Sequence, residues 1–312
     1  MTALAGVLLA PASTAAAAPA PLARTAHVAY ARHDGTSFAY DVVHPPGSRR
    51  APIVVLVHGG GWWRGGREDL IQTRPIAQAF ARAGFAAVVP DYRLACSGPG
   101  QHRRVFGLSF TVGDPSGCGA HLPDQVDDVR ATVRHVRSHA GTLRVDPRRV
   151  ALVGVSAGGH LALLAALGTG DDDLHVRAVV DASGPTATHF IRLQQARPKP
   201  PLRTIRAAFT NAVGCHPWVC PGRWNEADPS VQLRRRSSPT FALLAIAGAR
   251  ETQVPARSMQ PFVFAMQRRG RTAGLLTIGG ACHGSGCLMA PRRGAAPSPL
   301  AQTFAFLRRE LR

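Results

Sequence analysis

The sequence predicts an α/β fold in which a mostly parallel central sheet is flanked by helices. Short, continuous apolar runs alternate along the chain with segments whose apolar residues recur every three to four positions, as expected for buried strands alternating with helices. The runs lack the apolar–polar alternation of a strand with one solvent-facing side, so both faces of the sheet should be covered. With 312 residues and 45% hydrophobic content, the chain is long enough for one large domain, which we place at residues 25–312.

The individual elements follow from these patterns in chain order. Residues 27–43 predict two strands around an Asp34-Gly35 turn, forming an antiparallel edge. The continuous apolar runs predict strands over residues 51–57, 85–94, 149–155, 176–182, 240–247 and 273–278. The helical period predicts helices over residues 73–84, 123–139, 161–167, 256–269 and 300–309. Asp127 and Asp128 are expected to form a solvated first turn that is favourable to the helix dipole.

Two stretches interrupt this alternation. Residues 95–122 are rich in Gly, Pro and Ser and predict an insertion loop that contains Cys96 and Cys118. Residues 185–237 contain several prolines and two tryptophans. We expect them to form a small cap or lid over the sheet, of the kind that sets substrate access.

The first residues resemble a secretory signal peptide. An apolar run over residues 3–10 is followed by a stretch of Ala, Pro, Ser and Thr with a small-residue cleavage site near Ala17. No basic residue precedes the run, which fits a start codon assigned too far downstream. We assign residues 1–24 to a signal peptide and N-terminal segment. A secreted protein, soluble after processing, is expected because no other segment has the ~18 uninterrupted apolar residues of a membrane span.

Six cysteines fall into three close pairs, which predict disulfides in an exported protein. The pairs are Cys96–Cys118, Cys215–Cys220 and Cys282–Cys287. The alternative is a zinc site built from the two C-x4-C pairs with His216 or His283 nearby, although zinc ligands are usually more tightly spaced.

The formal net charge is +19, and Lys199 is the only lysine. Such a charge predicts a weak attraction to anionic polymers or membrane surfaces. Charge alone does not indicate nucleic-acid binding, and the sequence has no zinc finger, RNP-like aromatic motif or basic helix with spaced aromatics. We therefore expect no nucleic-acid partner, and the sequence does not indicate an oligomeric state.

One short stretch supplies the candidate nucleophile. The apolar run over residues 149–155 leads into Gly154-Val-Ser-Ala-Gly158, a G-x-S-x-G pattern that predicts a strand, a sharp turn and a helix start. Small residues at 154, 157 and 158 would let the two backbones pass closely and hold Ser156 clear of its neighbours. The same five-residue pattern also occurs by chance, so the other groups of a catalytic site have to be found elsewhere in the chain.

A glycine-rich loop follows the strand predicted at residues 51–57. His58-Gly-Gly-Gly-Trp62 leaves backbone N–H groups uncovered by side chains, and such groups can point at a developing oxyanion. The alternative is a flexible turn, but His-Gly-Gly-Gly is the loop form known from the oxyanion holes of lipases and esterases. Trp62 and His58 are the candidate residues of a substrate pocket, and His58 would also support the loop.

The candidate acid and base follow by elimination, because catalytic loops of an open parallel sheet lie at the carboxyl ends of the strands. Between residues 228 and 310 the only acidic residue is Glu251, and beyond residue 216 the only histidine is His283. Each follows a predicted strand; the alternative for each is an exposed loop residue. Glu251 would orient the imidazole, while His283 takes the proton of Ser156. His160 is less suited as the base because it would lie within the helix below the nucleophile.

Together these motifs resemble the carboxylesterases of the α/β-hydrolase superfamily, closest to the hormone-sensitive-lipase-like and feruloyl-esterase-like branches. The resemblance covers most of residues 26–312, and the family usually has an aspartate where this chain has Glu251. The matching motifs are His58-Gly-Gly-Gly-Trp62, Asp91-Tyr-Arg-Leu94, Gly154-Val-Ser-Ala-Gly-Gly-His160, Gly248-Ala-Arg-Glu-Thr-Gln-Val-Pro255 and Cys282-His-Gly284.

The resemblance implies an α/β-hydrolase fold and a secreted serine hydrolase that cleaves a small-molecule or glycan-linked carboxylic ester through an acyl-enzyme, without a cofactor or metal. The alternatives are a serine peptidase or lactonase on the same triad, or a noncatalytic protein that binds polysaccharide or a cell surface on a hydrolase scaffold. The site residues that the resemblance implies are the triad Ser156, Glu251 and His283 and the oxyanion-hole N–H groups of Gly60, Gly61 and Ala157.

Overall fold

The structure is a computed structural model of the 312-residue chain. It describes residues 21–69, 73–95, 102–105, 108–111, 119–168, 174–188, 191, 202–235, 239–291 and 294–312. The strands are β1 (Arg24–His33), β2 (Thr36–Val43), β3 (Ala51–Val57), β4 (Ala86–Pro90), β5 (His102–Val105), β6 (Leu108–Thr111), β7 (Val145–Val155), β8 (Ala178–Ala182), β9 (Ala242–Gly248) and β10 (Ala273–Ile278). The helices are α1 (Thr73–Arg82), α2 (Leu122–Ser138), α3 (Ala157–Leu167), α4 (Leu202–Val213), α5 (Pro221–Glu226), α6 (Pro229–Arg235), α7 (Ala256–Gln267), α8 (Ser285–Leu288) and α9 (Pro299–Glu310).

Eight of the strands form one sheet in the order β1-β2-β4-β3-β7-β8-β9-β10. From β4 to β10 the neighbouring strands are parallel, whereas β1 and β2 pair antiparallel at one edge. Parallel strands need crossover connections, and these place helices over the faces of the sheet. The predicted mostly parallel α/β architecture is confirmed.

Apolar clusters cover both faces of the sheet. Val55 and Leu161 belong to the cluster that includes α2 and α3, whereas Val54 and Phe80 belong to the cluster that includes α1 and α9. Successive side chains of a strand point to opposite faces, so β3 needs apolar residues at consecutive positions. This requirement explains the uninterrupted apolar run from which the strand was predicted.

The order of the sheet reverses at β3, because the chain continues to β4 on one side of it and later to β7 on the other. At such a switch point the loops that leave the two neighbouring strands diverge and open a crevice at the carboxyl end of the sheet. The loops that leave β3 and β7 contain His58-Gly-Gly-Gly-Trp62 and Ser156. The topology therefore brings the candidate nucleophile beside the glycine-rich loop.

The segment at residues 95–122 differs from the predicted loop. β5 and β6 form an antiparallel hairpin within it, and α2 already begins at Leu122. The predicted pair Cys96–Cys118 lies outside the described residues, as do residues 1–20 of the predicted signal peptide.

Asp128 differs from the expectation of a solvated helix turn, although Asp127 is exposed. The Asp128 side chain is 1% exposed and accepts hydrogen bonds from the backbone N–H and from Nε of Arg93 (2.8 and 2.9 Å). A buried carboxylate is tolerated where a cation and hydrogen bonds compensate its lost hydration. Helical periodicity could not identify this pair because the partner lies 35 residues away in sequence.

The predicted cap region contains three helices among its described residues. We call residues 202–235, which contain α4, α5 and α6, the helical segment; its action as a lid stays a prediction. A disulfide joins Cys215 and Cys220 within it, and the indole N–H of Trp224 donates to Cys215 O (2.8 Å). Across the described ranges of the chain, no helix has the length and apolar composition that a membrane crossing requires.

Candidate active site

Ser156 lies on the sharp turn between β7 and α3. Its φ of 54° and ψ of −120° place it in the left-handed half of backbone space, which is strained for a non-glycine residue. A hydrogen bond from Ser156 N to Ala182 O (2.8 Å) holds the turn. A Cβ on Gly158 would lie 2.1 Å from Val57 O, so only glycine lets α3 begin this close to β3. Ala157 is the first residue of α3, where a backbone N–H has no acceptor within the helix.

His283 and Glu251 form a hydrogen-bonded chain with Ser156. His283 Nε2 lies 2.8 Å from Ser156 Oγ, and His283 Nδ1 lies 2.8 Å from Glu251 Oε2. Because a carboxylate only accepts, Nδ1 carries the proton, and Nε2 is free to accept from the serine hydroxyl. The Glu251 side chain is 2% exposed, and its other oxygen accepts from Gln253 N (2.9 Å). The structure thus brings the three candidate residues together, and the longer glutamate side chain reaches the histidine.

The loops of the acid and the histidine leave neighbouring parallel strands, β9 and β10, and are joined to each other. Ala249 N donates to Ile278 O (2.7 Å). A disulfide joins Cys282 to Cys287, and Cys287 is fully buried under the sheet end. The imidazole therefore lies on a short loop that is fixed on both sides.

The glycine-rich loop lies against the nucleophile turn. A Cβ on Gly59 would lie 3.4 Å from Ser156 Cβ. Gly60 and Gly61 have φ values of 122° and 62°, and Arg64 N donates back to Gly60 O (3.2 Å). The loop is a compact turn whose glycines place backbone, without a side chain of their own, close to the nucleophile turn. Backbone N–H groups held in this way are suited to stabilising an oxyanion.

His58 and Trp62 are both buried, and their contact with a substrate stays a prediction. His58 is 5% exposed and Trp62 is 1% exposed, because both pack inside the molecule. His58 Nδ1 donates to Gly59 O (2.8 Å), and its ring stacks on Tyr92 with the centroids 4.1 Å apart. Burial lowers the pKa of His58 to about 4. The ring is therefore neutral near neutral pH, and it supports the glycine loop through its hydrogen bond to Gly59 O.

Asp181, at the end of β8, is a buried group near the nucleophile that sequence reasoning missed. It is fully buried; its Oδ1 accepts from Gly184 N (2.7 Å), and its Oδ2 has no hydrogen-bond partner within the described structure. Burial raises the pKa of Asp181 well above its ordinary value, so the protonated form is favoured. A single acidic residue inside the apolar run at 176–182 was the signal that could have identified it.

The sequence was compared with known families and proteins. A model of the BD-FAE family matches residues 40–99 and 116–263. Esterase LipC of Mycobacterium tuberculosis is 26% identical over 274 residues, which cover 81% of this chain and 58% of LipC. Carboxylesterase NlhH of the same organism is 36% identical over 137 residues, which cover 43% of this chain and 35% of NlhH. The aligned part of this chain thus spans less than two thirds of the length of either relative.

Solved structures share the fold at lower sequence identity. A thermophilic esterase of Thermogutta terrifontis with bound butyrate superimposes with a TM-score of 0.62 at 22% identity, covering 90% of this chain and 91% of the esterase. A structure of the same esterase phosphonylated by sarin gives a TM-score of 0.64 at 22% identity, covering 89% and 90%. Because the family match includes both the glycine-rich loop and the nucleophile turn and covers more than half of the residues, this chain belongs to the BD-FAE family and has the α/β-hydrolase fold.

Proposed function

We propose that the protein is a secreted serine hydrolase that cleaves carboxylic esters through an acyl-enzyme. The observation that carries the proposal is the chain from Ser156 Oγ through His283 to Glu251 Oε2, with 2.8 Å at each hydrogen bond, beside the glycine-rich loop. The names of LipC and NlhH, an esterase and a carboxylesterase, support the same reaction class.

In the first step, Ser156 Oγ attacks the ester carbonyl carbon while His283 Nε2 takes the hydroxyl proton. Glu251 keeps His283 Nδ1 protonated and stabilises the imidazolium that forms. The carbonyl oxygen becomes an oxyanion, which the glycine-loop N–H groups of Gly60 and Gly61 and the N–H of Ala157 stabilise. These donors act most strongly on the tetrahedral state, so they lower the barrier more than they strengthen substrate binding.

In the second half of the reaction, the tetrahedral state collapses and the alcohol leaves with the proton that His283 held. The acyl group then remains as an ester on Ser156. A water molecule attacks this ester while His283 acts again as general base, and the carboxylic acid is released. His283 takes the proton of this water and returns it to Ser156 Oγ when the acid leaves, and the substrate is a small-molecule or glycan-linked ester.

Export is part of the proposal because two disulfides, Cys215–Cys220 and Cys282–Cys287, are typical of proteins that fold in an oxidising compartment. The net charge of +19 favours a weak attraction to anionic surfaces there. Binding of the purified protein to anionic and neutral matrices at low and high salt would measure this attraction, which salt should weaken.

The first test is Ser156→Ala, assayed with p-nitrophenyl butyrate and a fluorophosphonate probe. We expect hydrolysis to fall on the order of 10⁴-fold or more, because the nucleophile is lost, and we expect no labelling. Ser258→Ala is the control: Ser258 is buried, and its hydroxyl donates to Pro255 O (2.7 Å), which belongs to no triad residue, so its variant should stay active. An unlabelled wild-type chain would favour a noncatalytic binding protein, and faster turnover of a peptide or a lactone would favour the rival reactions.

The second test is Glu251→Gln, which addresses the triad acid. A glutamine amide can donate to His283 Nδ1 and thereby place the proton on Nε2, facing Ser156. We expect kcat to fall by about 10³- to 10⁴-fold, as when a triad carboxylate is replaced by its amide. Glu226→Gln, a change at an exposed glutamate of α5, should leave kcat as it is. Full activity of Glu251→Gln would remove Glu251 from the mechanism.

A further inference from the structure

Trp62, the residue that follows the glycine loop, is held in an unusual backbone conformation. Its φ is 67°, in the left-handed region that bulky L residues rarely adopt. Its carbonyl oxygen accepts hydrogen bonds from Gln125 Nε2 (2.7 Å) and from Ala95 N (2.9 Å). The conformation of this loop end therefore depends on contacts with other parts of the chain.

The indole N–H of Trp62 makes a further contact of this kind. It donates to His160 Nδ1 at 3.3 Å, and the two rings meet edge to face with their centroids 5.5 Å apart. His160 lies one helical turn after the nucleophile in α3, and its backbone N–H donates to Ser156 O (3.2 Å). The His160 side chain thus joins the glycine loop to the helix that carries the nucleophile.

The second ring nitrogen of His160 contacts the helical segment. His160 Nε2 lies 2.8 Å from Ala227 O, between α5 and α6. Because a carbonyl only accepts, Nε2 carries the proton, and Nδ1 can then accept from Trp62; only this neutral tautomer satisfies both partners. Complete burial lowers the pKa of His160 to about 4, so the neutral ring prevails near neutral pH.

Two further sets of contacts hold the helical segment near His160. Phe209 of α4 packs against both Trp62 and His160, with ring centroids 5.1 and 5.5 Å apart. Asp228, in the turn after α5, accepts from Thr188 N (2.9 Å) and from Thr188 Oγ1 (2.7 Å). The segment is therefore tied to the chain beyond β8 and meets the glycine loop at His160.

We propose that His160 is a positioning residue: it holds Trp62, and thereby the glycine-loop N–H groups, relative to Ser156 while the helical segment is docked through Ala227 O. This inference rests on the proposed function and deepens it by naming a residue that acts on the oxyanion hole without touching the substrate. Donors fixed before the reaction stabilise the transition state more than the bound substrate. Loss of this contact therefore lowers kcat and leaves KM nearly unchanged.

The test uses three variants of the full chain and one matched control. His160→Phe keeps a ring and loses both hydrogen bonds, Trp62→Phe removes only the indole donor, and His160→Gln retains a donor and an acceptor. The control is Trp224→Phe, because Trp224 is as deeply buried and packs on the same Phe209 at 4.9 Å, but its indole N–H donates to Cys215 O within the helical segment.

Two readouts are measured for each chain: kcat and KM with p-nitrophenyl butyrate, and the inhibition constant of an aryl trifluoromethyl ketone. This inhibitor adds to the serine as a tetrahedral adduct whose oxyanion occupies the same hole, so its inhibition constant reports donor placement. Unlike kcat, an inhibition constant does not depend on the fraction of enzyme that is active. It therefore separates positioning from a general loss of folded protein.

We expect His160→Phe and Trp62→Phe to lower kcat by about 10-fold or more, somewhat less than complete loss of an oxyanion donor, and to weaken the ketone by the same factor. His160→Gln should recover part of kcat and part of the affinity for the ketone. Trp224→Phe should leave kcat and the inhibition constant as they are in the wild-type chain. The inference is overturned if Trp62→Phe leaves both readouts unchanged, or if Trp224→Phe alters them equally. If His160→Phe does not fold, Trp62→Phe and His160→Gln decide the question. A wild-type chain that neither hydrolyses esters nor reacts with fluorophosphonate would instead remove the proposed function, and the inference with it.

Discussion

The described structure contains two disulfide loops of the same size in contrasting surroundings. Cys215–Cys220 and Cys282–Cys287 each have a sequence separation of 5. The first loop lies in the helical segment, and its tip is open to solvent, with Trp218 63% exposed. The second loop contains His283, which bonds Ser156 Oγ at 2.8 Å. An identical spacing of cysteines therefore stiffens a surface loop in one place and a candidate catalytic loop in the other.

The difference lies in what each loop packs against. Cys287 is fully buried, and Ser183, at the end of β8, approaches its sulfur at 3.9 Å. Packing against the end of the sheet thus fixes the second loop, and with it the imidazole of His283. In the first loop, both cysteines are only partly buried, and the contact to the protein interior runs through Trp224. Opening either loop should consequently cost a similar chain-entropy term, whereas the effects on activity should differ strongly.

The largest contrast is expected from removing each disulfide by a double Cys→Ser substitution. Because both close loops of equal length, the chain-entropy part of each loss should be similar, about 2 kcal/mol. Cys287→Ser adds the cost of placing a hydroxyl in a fully buried position. Only the variant lacking Cys282–Cys287 should lose activity, by about 10-fold or more, because a misplaced base slows proton transfer. The variant lacking Cys215–Cys220 should keep its kcat.

Thermal melts and esterase assays at a temperature where both variants are folded would measure the two effects. Mild reduction of the wild-type chain supplies a second reading, since activity should fall before helical circular dichroism does. Equal activity losses in the two variants, or activity that does not respond to reductant, would contradict the idea that the second disulfide holds His283.

A smaller contrast is expected from the glycine beside each disulfide. Gly284 and Gly214 both have positive φ, 54° and 87°, so Gly→Ala at either position should cost about 1–2 kcal/mol in backbone strain. A Cβ at Gly284 would lie 2.8 Å from Val155 Cγ1, next to the nucleophile, whereas one at Gly214 would lie 2.7 Å from the His121 ring. Only Gly284→Ala should lower kcat, by roughly several-fold, through a shift of the histidine loop.

Urea unfolding and steady-state kinetics on the two glycine variants give this comparison directly. If the two variants lose similar stability while Gly284→Ala keeps the kcat of wild type, the histidine loop tolerates displacement. The contrast between the two loops would then rest on the disulfides alone.

Local sequence patterns were sufficient for the parts of the fold that follow from periodicity. The bounds predicted for the strands at residues 51–57 and 273–278 agree with those of β3 and β10. The site residues Ser156, Glu251 and His283 could be identified together because each follows a parallel strand, and such strand ends meet at one edge of the sheet. The serine motif, the predicted strand ends and the scarcity of acids and histidines near them therefore selected the three residues that the structure brings within hydrogen-bonding distance.

Contacts between distant parts of the chain could not be predicted in this way. The bond from Trp62 to His160 spans 98 residues, and no local pattern distinguishes a tryptophan that lines a pocket from one that is buried under helices. The hairpin of β5 and β6 was missed because its short strands lie in a stretch dominated by Gly, Pro and Ser, which favour loops. Equal cysteine spacing likewise could not show which of the two disulfide loops lies next to the serine.

The smallest contrast concerns two buried aspartates, Asp181 near the nucleophile and Asp228 in the helical segment. Burial raises the pKa of Asp181, which gains little from hydrogen bonding. Burial alone would also raise the pKa of Asp228, but hydrogen bonds from Ser230 and Thr188 lower it. Replacing each aspartate by asparagine should therefore change the pH dependence of stability in opposite ways.

Asp181 has a raised folded-state pKa, so its contribution to stability is complete below the unfolded pKa of about 3.9 and is lost as pH rises towards the folded value. Relative to Asp181→Asn, the wild-type chain should lose stability with rising pH, by at most about 1.4 kcal/mol per pH unit. Asp228 has a depressed pKa, so its contribution is present above about pH 4 and is lost as pH falls below it. Asp228→Asn should thus be less stable than wild type near neutral pH, with a gap that closes in acid.

Urea unfolding of the three chains at several pH values between about 3 and 8 measures both gaps. The buried His58 titrates in all three chains, so its effect cancels in the differences. Burial lowers the pKa of His160 and the charge of Asp228 partly offsets this shift, so the Asp228→Asn difference also contains the change in that histidine. A constant gap between wild type and Asp181→Asn would mean that Asp181 is ionised in the folded protein. In that case a negative charge would lie beneath the turn of Ser156, opposing the oxyanion that the glycine loop is proposed to stabilise.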